Sequence, residues 1–444
     1  MSATIPTPLH AAADARPGAT RPLRVLVVPG GTEIGLEIGR ALSGCKDVEL
    51  VSAGTPPGGH APFAFTTHVD LPSVHDDGWL QPFNAAIREH AIDLVYPAYD
   101  DVQLALASSA DRLAATVIAP PADVCHVCRY KSLTYAALAN AVPVPRIHPD
   151  PQGIPAFPVF AKPDRGQGSA GARAVRGPDE LRMALADGAD LVTELLPGAE
   201  FTVDCFSDRE RGLLFAKGRT RERIRAGISM RSRPVDDPRF EEYATAISTH
   251  LDLRGAWFFQ VREDADGVLR LLEVGPRIAG TMALHRVQGV NFALLSVYEA
   301  MRLPYRLMPN DVHVEIDRAL VNRYRSDLAF GTVYVDLDDT LVVRGRVHAP
   351  LAGLLYQFLG HGKRVVLITR HAGELPAFLA RHRVSGIFDR VVHLRDGEPK
   401  SAHITEPDAI LIDDSFSERR EVHLSLGIPT FDLSMIEMLV DDRV

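Results

Sequence analysis

The sequence predicts a multidomain α/β and α+β protein, with an open α/β unit first, a mixed middle region and a second β-α-β unit at the end. Three observations carry this. The chain has 444 residues, too many for one ordinary core. Short apolar strands alternate with helix-period segments near both ends. Between them, Trp257–Val261 and Leu269–Val274 flank Asp266-Gly267, the strongest hairpin signal in the chain.

Apolar residues make up 46% and charged residues 24%, the profile of a folded globular chain. The formal net charge of -9 argues against a nucleic-acid surface, without excluding a local basic patch. Residues 1–22 lack periodicity and an apolar signal core, so they read as a disordered leader. No stretch has the apolar length of a membrane span, which makes the cytoplasm the default location. Cys125 and Cys128 have the spacing of a metal or redox pair, but no second pair accompanies them; they read as ordinary helix or core cysteines. Composition says nothing about the oligomeric state.

Residues 23–120 form the first unit. Arg24–Val28 is a strand that runs into the turn Pro29-Gly-Gly-Thr-Glu-Ile-Gly35, and Ile34–Leu42 has helical spacing. Strands follow near Val48–Ser52 and Asp93–Pro97, the latter ending at Tyr99-Asp100-Asp101. The glycine turn lacks dinucleotide spacing and a ribose-binding acid, so it reads as a tight turn lining a substrate crevice.

Residues 121–325 change character. A helix is expected over Arg129–Ala139, a strand over Phe157–Lys162, a helix over Glu180–Ala186 and an extended segment over Leu191–Leu196. Lys162 ends its strand just before a loop containing Gly166, Gly168, Ser169 and Gly171. Glycines let backbone N–H groups approach phosphate oxygens, and an ammonium balances their charge.

With Lys131, Glu200, Gln260 and Glu273 the order becomes familiar. Residues 23 to about 325 resemble the ATP-grasp superfamily, especially its carbamoyl-phosphate-synthetase-like and amino-acid-ligase branches. The matching segments are Tyr130-Lys131, Phe160-Ala-Lys162-Pro163, Gly166-Gln-Gly168-Ser169-Ala-Gly171, Glu194-Leu-Leu-Pro-Gly-Ala-Glu200 and Leu272-Glu273-Val-Gly-Pro-Arg277. The resemblance implies ATP and Mg²⁺, with Lys131 and Lys162 on phosphates, Leu195 and Leu196 at the adenine hinge, and Glu200 on ribose. It puts Gln260 and Glu273 at the metal site and Arg277 near the γ-phosphate or an acyl phosphate. Gly275 stands where the family has Asn, which removes one metal-binding oxygen. Lys217, Arg219 and Arg225 are candidates for contacts to phosphate or an acidic substrate. The implied chemistry joins a small carboxylate to an amine through an acyl phosphate.

A second β-α-β pattern occupies 331–444, with strands at Thr332–Val335, Arg364–Ile368 and Ala409–Ile412 and a helical face at Leu351–Leu359. Asp336-Leu-Asp338-Asp339-Thr340 directly follows the first strand, so Asp336 can act as nucleophile and Asp338 as acid and base. Thr369, Lys400 and Asp413-Asp414 follow in order. This pattern resembles the haloacid-dehalogenase phosphatases and implies a Rossmann-like domain acting on a phosphorylated small molecule. There Thr369 would bind phosphate and Lys400 compensate charge. Asp336, Asp413, Asp414 and the backbone carbonyl of Asp338 would hold Mg²⁺. Short connections leave no room for a large cap.

Three readings follow: a carboxylate-amine ligase with an accessory phosphatase, a hydrolase with a nucleotide-controlled module, and a non-enzymatic ATP sensor.

Overall fold

The computed structural model describes residues 21–56, 59–166, 168, 170–225, 227–395 and 397–443; the first twenty residues of the expected leader, and Ser169, lie outside them. Packing divides the chain into one unit ending at Leu320 and another spanning Val321–Arg443. The segment 326–330, assigned to neither unit above, packs with the second.

The first unit begins with β1 (Leu23–Val28), α1 (Glu33–Leu42), β2 (Val48–Gly54), α2 (Ala61–Ala64), β3 (His68–Asp70), α3 (Leu80–Glu89), β4 (Leu94–Pro97), α4 (Asp100–Ala107) and β5 (Thr116–Val117). The strands are parallel in the order β3-β2-β1-β4-β5. Both faces are covered, which explains the uninterrupted apolar runs. Val25, Val27, Leu94 and Tyr96 pack on one side with Phe258 and Phe292, while Leu26, Val28 and Val95 pack on the other with Phe83 and Leu106. The turn after β1 is held by Thr32, whose hydroxyl caps α1 by accepting from the Gly35 amide at 3.0 Å. Gly35 has no alternative, since a Cβ there would lie 2.4 Å from the Pro29 carbonyl oxygen.

The helix expected over Arg129–Ala139 is α6 (Lys131–Leu138), and a further helix, α5 (Ala122–Arg129), precedes it; Tyr130 between them is extended at φ -113° and ψ 120°. The break starts a new helix at Lys131. A small antiparallel sheet follows, with β6 (Val159–Lys162) central between β7 (Arg173–Val175) and β8 (Leu191–Glu194), backed by α7 (Pro178–Ala186).

The larger antiparallel sheet contains β9 (Glu200–Asp208), β10 (Gly212–Thr220), β13 (Pro234–Val235), β14 (Gly255–Glu263) and β15 (Leu269–Gly275), in the order β13-β10-β9-β14-β15. The hairpin at Asp266-Gly267 joins β14 to β15 and sets Gln260 directly opposite Glu273. A side sheet of β11 (Arg223–Arg225), β12 (Ile228–Ser232) and β16 (Ile316–Asp317) carries the chain back past α8 (Pro238–His250), α9 (Ala283–Val287) and α10 (Phe292–Ala300).

The second unit is another parallel sheet. It contains β17 (Thr332–Val335), the hairpin β18 (Val342–Val343) and β19 (Arg346–Val347), α11 (Ala349–Gly360), β20 (Arg364–Thr369), α12 (Leu375–Arg381), β21 (Arg390–His393), β22 (Ala409–Ile412), α13 (Phe416–Leu426) and β23 (Thr430–Phe431). Its order is β21-β20-β17-β22-β23, with its own buried core on each face. No described helix is long and apolar enough to cross a membrane.

Candidate functional site

In an open parallel sheet, ligands bind beyond the strand C-termini where the strand order reverses. In the first unit that point lies between β1 and β4. Thr32 and Glu33 after β1, with Tyr99 and Asp100 after β4, line a cavity of about 500 Å³. A second cavity, about 140 Å³, lies between the two antiparallel sheets and is lined by Phe160, Lys162, Leu195, Leu196 and Glu200. Lys131, Gly166, Gly168, Arg221, Gln260 and Glu273 line both, so the two spaces share one wall.

The smaller cavity contains unusual charges. Lys162 is buried, and its ammonium donates to the Tyr135 hydroxyl at 2.7 Å; that hydroxyl in turn donates to the Leu272 carbonyl at 2.8 Å. Burial, with neighbouring Lys131 adding to it, pulls Lys162 down to about 7. Among the described residues the Lys131 ammonium donates to the carbonyls of Pro163, Asp164 and Gly166, at 3.2 to 3.4 Å. Among the described residues, neither lysine has a carboxylate within ion-pair distance. Glu273 and Gln260 form the complementary half: their side chains make no hydrogen bond or ion pair among the described residues, although they face each other across the hairpin.

The glycine-rich loop touches a second loop overhead. Gly227, at φ +74°, approaches so closely that a Cβ on it would lie 2.1 Å from the Gly168 carbonyl carbon. At the root of the loop, Asp101 accepts from Arg129 at 2.8 Å and Arg165 at 2.6 Å. Burial alone would raise its carboxyl, but the two guanidinium groups win and hold it down at about 2.

In the second unit the C-terminal ends of β17, β20 and β22 bring Asp336, Thr369 and Asp413-Asp414 to one edge of the sheet. Lys400 is almost fully buried and donates to Asp336 at 2.7 Å and Asp413 at 2.6 Å. Carboxylate oxygens of Asp336, Asp413 and Asp414 lie within 4.8 Å of one another, a hard-oxygen set suited to Mg²⁺. Burial pushes Asp336 up to about 6, against the pull of Lys400, and raises Asp413 as well. Thr340 donates to Asp414 at 3.0 Å. The exposed Asp338 is held by His371, whose Nδ1 lies 2.9 Å from its carboxylate. Thr369 is buried, and its hydroxyl accepts from the His371 amide at 3.1 Å.

The family model "ATP-grasp in the biosynthetic pathway with Ter operon" matches residues 188–321. Biotin carboxylase from Campylobacter jejuni superposes with a TM-score of 0.54 at 16% identity, covering 65% of this chain and 73% of that one. An L-amino acid ligase from Bacillus licheniformis gives 0.51 at 18%, covering 63% and 74%. N5-carboxyaminoimidazole ribonucleotide synthetase from Thermus thermophilus gives 0.52 at 19%, covering 66% and 82%. The first unit has the ATP-grasp fold. No curated protein matches the sequence.

The ATP-grasp unit distributes its sequence-derived candidates unevenly. Lys131, Lys162, Gly166, Gly168, Leu195, Leu196, Glu200, Gln260 and Glu273 line the smaller cavity. Gly171 instead packs beside Pro163. Arg277 lines the larger cavity, but its guanidinium is spent on Asp100 in a bidentate pair at 2.6 and 2.8 Å. Glu200 pairs with Arg221 at 2.7 Å. Arg219 is buried against Asp204. Lys217 points outward to Asp236, and Arg225 is exposed. The substitution at Gly275 is built in: a Cβ there would meet the Phe258 ring at 2.4 Å, so an Asn requires the ring to move.

Sequence reasoning overlooked Arg221, Arg129, Arg318 and Asp101. Arg221 had a usable signal, since it follows Lys217 and Arg219 at strand spacing. The others sit on separate segments joined only by the fold. Cys125 and Cys128 are free and buried, and burial pushes the Cys125 thiol up to about 12.

Proposed function

We propose that the ATP-grasp unit activates a small carboxylate with ATP and passes the acyl group to an amine. One observation carries this reading: among the described residues, two ammonium groups with no carboxylate within ion-pair distance line one cavity with an acid and an amide whose side chains make no hydrogen bond or ion pair. The triphosphate of ATP supplies the missing anion for Lys131 and Lys162. Gln260 and Glu273 would hold Mg²⁺, which neutralises charge on the β- and γ-phosphates. Leu195, Leu196 and Phe160 give the smaller cavity an apolar end for the adenine.

The carboxylate oxygen attacks the γ-phosphorus, forming an acyl phosphate and releasing ADP. The amine then attacks the acyl carbon and inorganic phosphate leaves. The contact between Gly168 and Gly227 covers the shared wall and limits water, the competing nucleophile. Hydroxylamine tests this directly, because it traps an acyl phosphate as a hydroxamate without the native amine. Carboxylate-dependent hydroxamate and ADP in equal amounts are expected. ADP formation indifferent to every carboxylate would remove the ligase reading.

For the second unit we propose Mg²⁺-dependent hydrolysis of a phosphorylated small molecule, as in haloacid-dehalogenase phosphatases. The reading rests on the unit's own residues, foremost the buried Asp336–Lys400–Asp413 cluster. Asp336 attacks phosphorus to give an aspartyl phosphate while Asp338, oriented by His371, supplies the proton to the leaving oxygen; water, deprotonated by Asp338, then attacks that phosphorus, releasing phosphate and regenerating Asp336. Asp336, Asp413 and Asp414 would hold the metal, which offsets charge on the transferring phosphoryl group. Phosphate release from a generic phosphoester without ATP is the test.

A further inference from the structure

We propose that Arg318 selects carboxylate substrates carrying a second anionic group, a carboxylate or a phosphate, remote from the reacting one. The inference rests on the ligase reading and names the substrate class of that same site. Five arginines line the larger cavity. Arg129, Arg219, Arg221 and Arg277 each hold a carboxylate at 2.8 Å or closer. Arg318 differs. Its only side-chain partner among the described residues is Glu33, through a single contact of 3.5 Å. Most of the guanidinium fork is therefore unspent, and such forks match carboxylate and phosphate oxygens in pairs.

The chain also aims this side chain. The Arg318 amide donates to the Met230 carbonyl at 2.8 Å, and its own carbonyl accepts from Arg223 at 3.0 Å. Gly280 leaves room for the guanidinium, since a Cβ there would stand 3.1 Å from Nη1. Arg318 lines the larger cavity only, whereas Gln260, Glu273 and Lys131 line both. The reacting carboxylate must approach the nucleotide along the shared wall, so Arg318 receives a different part of the substrate. Glu33, at the start of α1, is its resting counter-ion. It is the more exposed partner, at 43% against 22%, and can turn to solvent when an anion arrives.

The experiment uses the intact chain, ATP and hydroxylamine with three acids of equal chain length: a monocarboxylate, an α,ω-dicarboxylate and an ω-phosphonocarboxylate. Wild type should prefer one dianionic acid, and which one distinguishes carboxylate from phosphate recognition. Arg318→Gln should raise KM for that acid about 10- to 100-fold while leaving the monocarboxylate unchanged. Glu33→Gln should act oppositely and lower KM for the dianion, an outcome that damage to the fold cannot mimic. Equal losses on all three acids in Arg318→Gln, or no wild-type preference for either dianion, overturns the proposal while leaving the ligase reading standing. Absence of hydroxamate from every acid overturns the ligase reading, and this inference with it.

Discussion

Lys131 and Lys162 of the ATP-grasp unit have no carboxylate within ion-pair distance among the described residues, whereas Lys400 of the second unit lies 2.6 to 2.7 Å from two. The first arrangement stores unbalanced charge on both sides of a cavity: ammonium groups at the end of β6 and the start of α6, an acid and an amide on the facing strands β15 and β14. The second sets its ammonium against two buried carboxylates and keeps an excess of negative charge, three aspartates to one lysine, that suits a metal ion. A site of the first kind is completed by a ligand that brings both signs, as a metal-bound nucleotide does. In a site of the second kind the lysine is held by the site's own acids before any ligand arrives. The contrast also separates how each should fail when a residue is removed.

The largest effect belongs to the second unit's site. Asp336→Asn keeps size and hydrogen-bonding shape but cannot form the aspartyl phosphate, so phosphoester hydrolysis should fall roughly 1000-fold or more. ATP affinity of the first unit should remain unchanged, and a parallel loss of both would break the separation. Next comes Glu273→Ala, expected to lower hydroxamate formation about 100-fold at limiting Mg²⁺ while hydrolysis in the second unit persists. Full ADP formation by this variant would remove Glu273 from the metal site.

Asp101→Asn probes how the glycine-rich loop is held. Arg129 and Arg165 would keep a hydrogen-bond acceptor but lose a charged one, and a partly exposed ion pair of this kind contributes about 1 kcal/mol. KM for ATP should rise several-fold with kcat nearly unchanged. An equal fall in kcat would instead make Asp101 part of the chemistry.

The same contrast explains what the sequence could reveal. The second unit's acids sit at strand ends within short, contiguous motifs, and the fold adds mainly the depth of Lys400. His371 was missed because its tie to Asp338 crosses from one strand end to another. In the ATP-grasp unit the pairing of Gln260 with Glu273 was readable from the hairpin signal at Asp266-Gly267, although the strands are joined by the longer connection 264–268 and a register shift follows Gln260. The break at Tyr130 was not, because helical spacing continues through a residue whose backbone is extended. Arg277 looked available from its motif, but Asp100, far away in sequence, claims it. Arg318 had no motif at all. Which guanidinium groups are spent and which are free depends on long-range partners, and composition is blind to that.

The smallest effect is a fraction of a proton, and it tests the stored charge most directly. Lys162 ionises near 7 in the folded chain against 10.5 when exposed, chiefly because burial penalises the ammonium. The sign follows from counting protons. Between these two values the unfolded chain keeps the proton that the native site has shed, so native stability rises as pH climbs through the window. Below about 7 both states carry the proton and the full cost of burying the charge is present. Lys162→Met should therefore stabilise the nucleotide-free protein at pH 6, with an advantage that shrinks towards pH 10. Bound triphosphate reverses the penalty by placing an anion beside the ammonium. ATP binding should then draw roughly 0.9 proton onto Lys162 at pH 8 but only about 0.1 at pH 6. Calorimetry in buffers of different ionisation enthalpy reads this uptake, and the difference between wild type and Lys162→Met removes the nucleotide's own protonation. Identical uptake in both proteins at pH 8 would place the titrating group elsewhere.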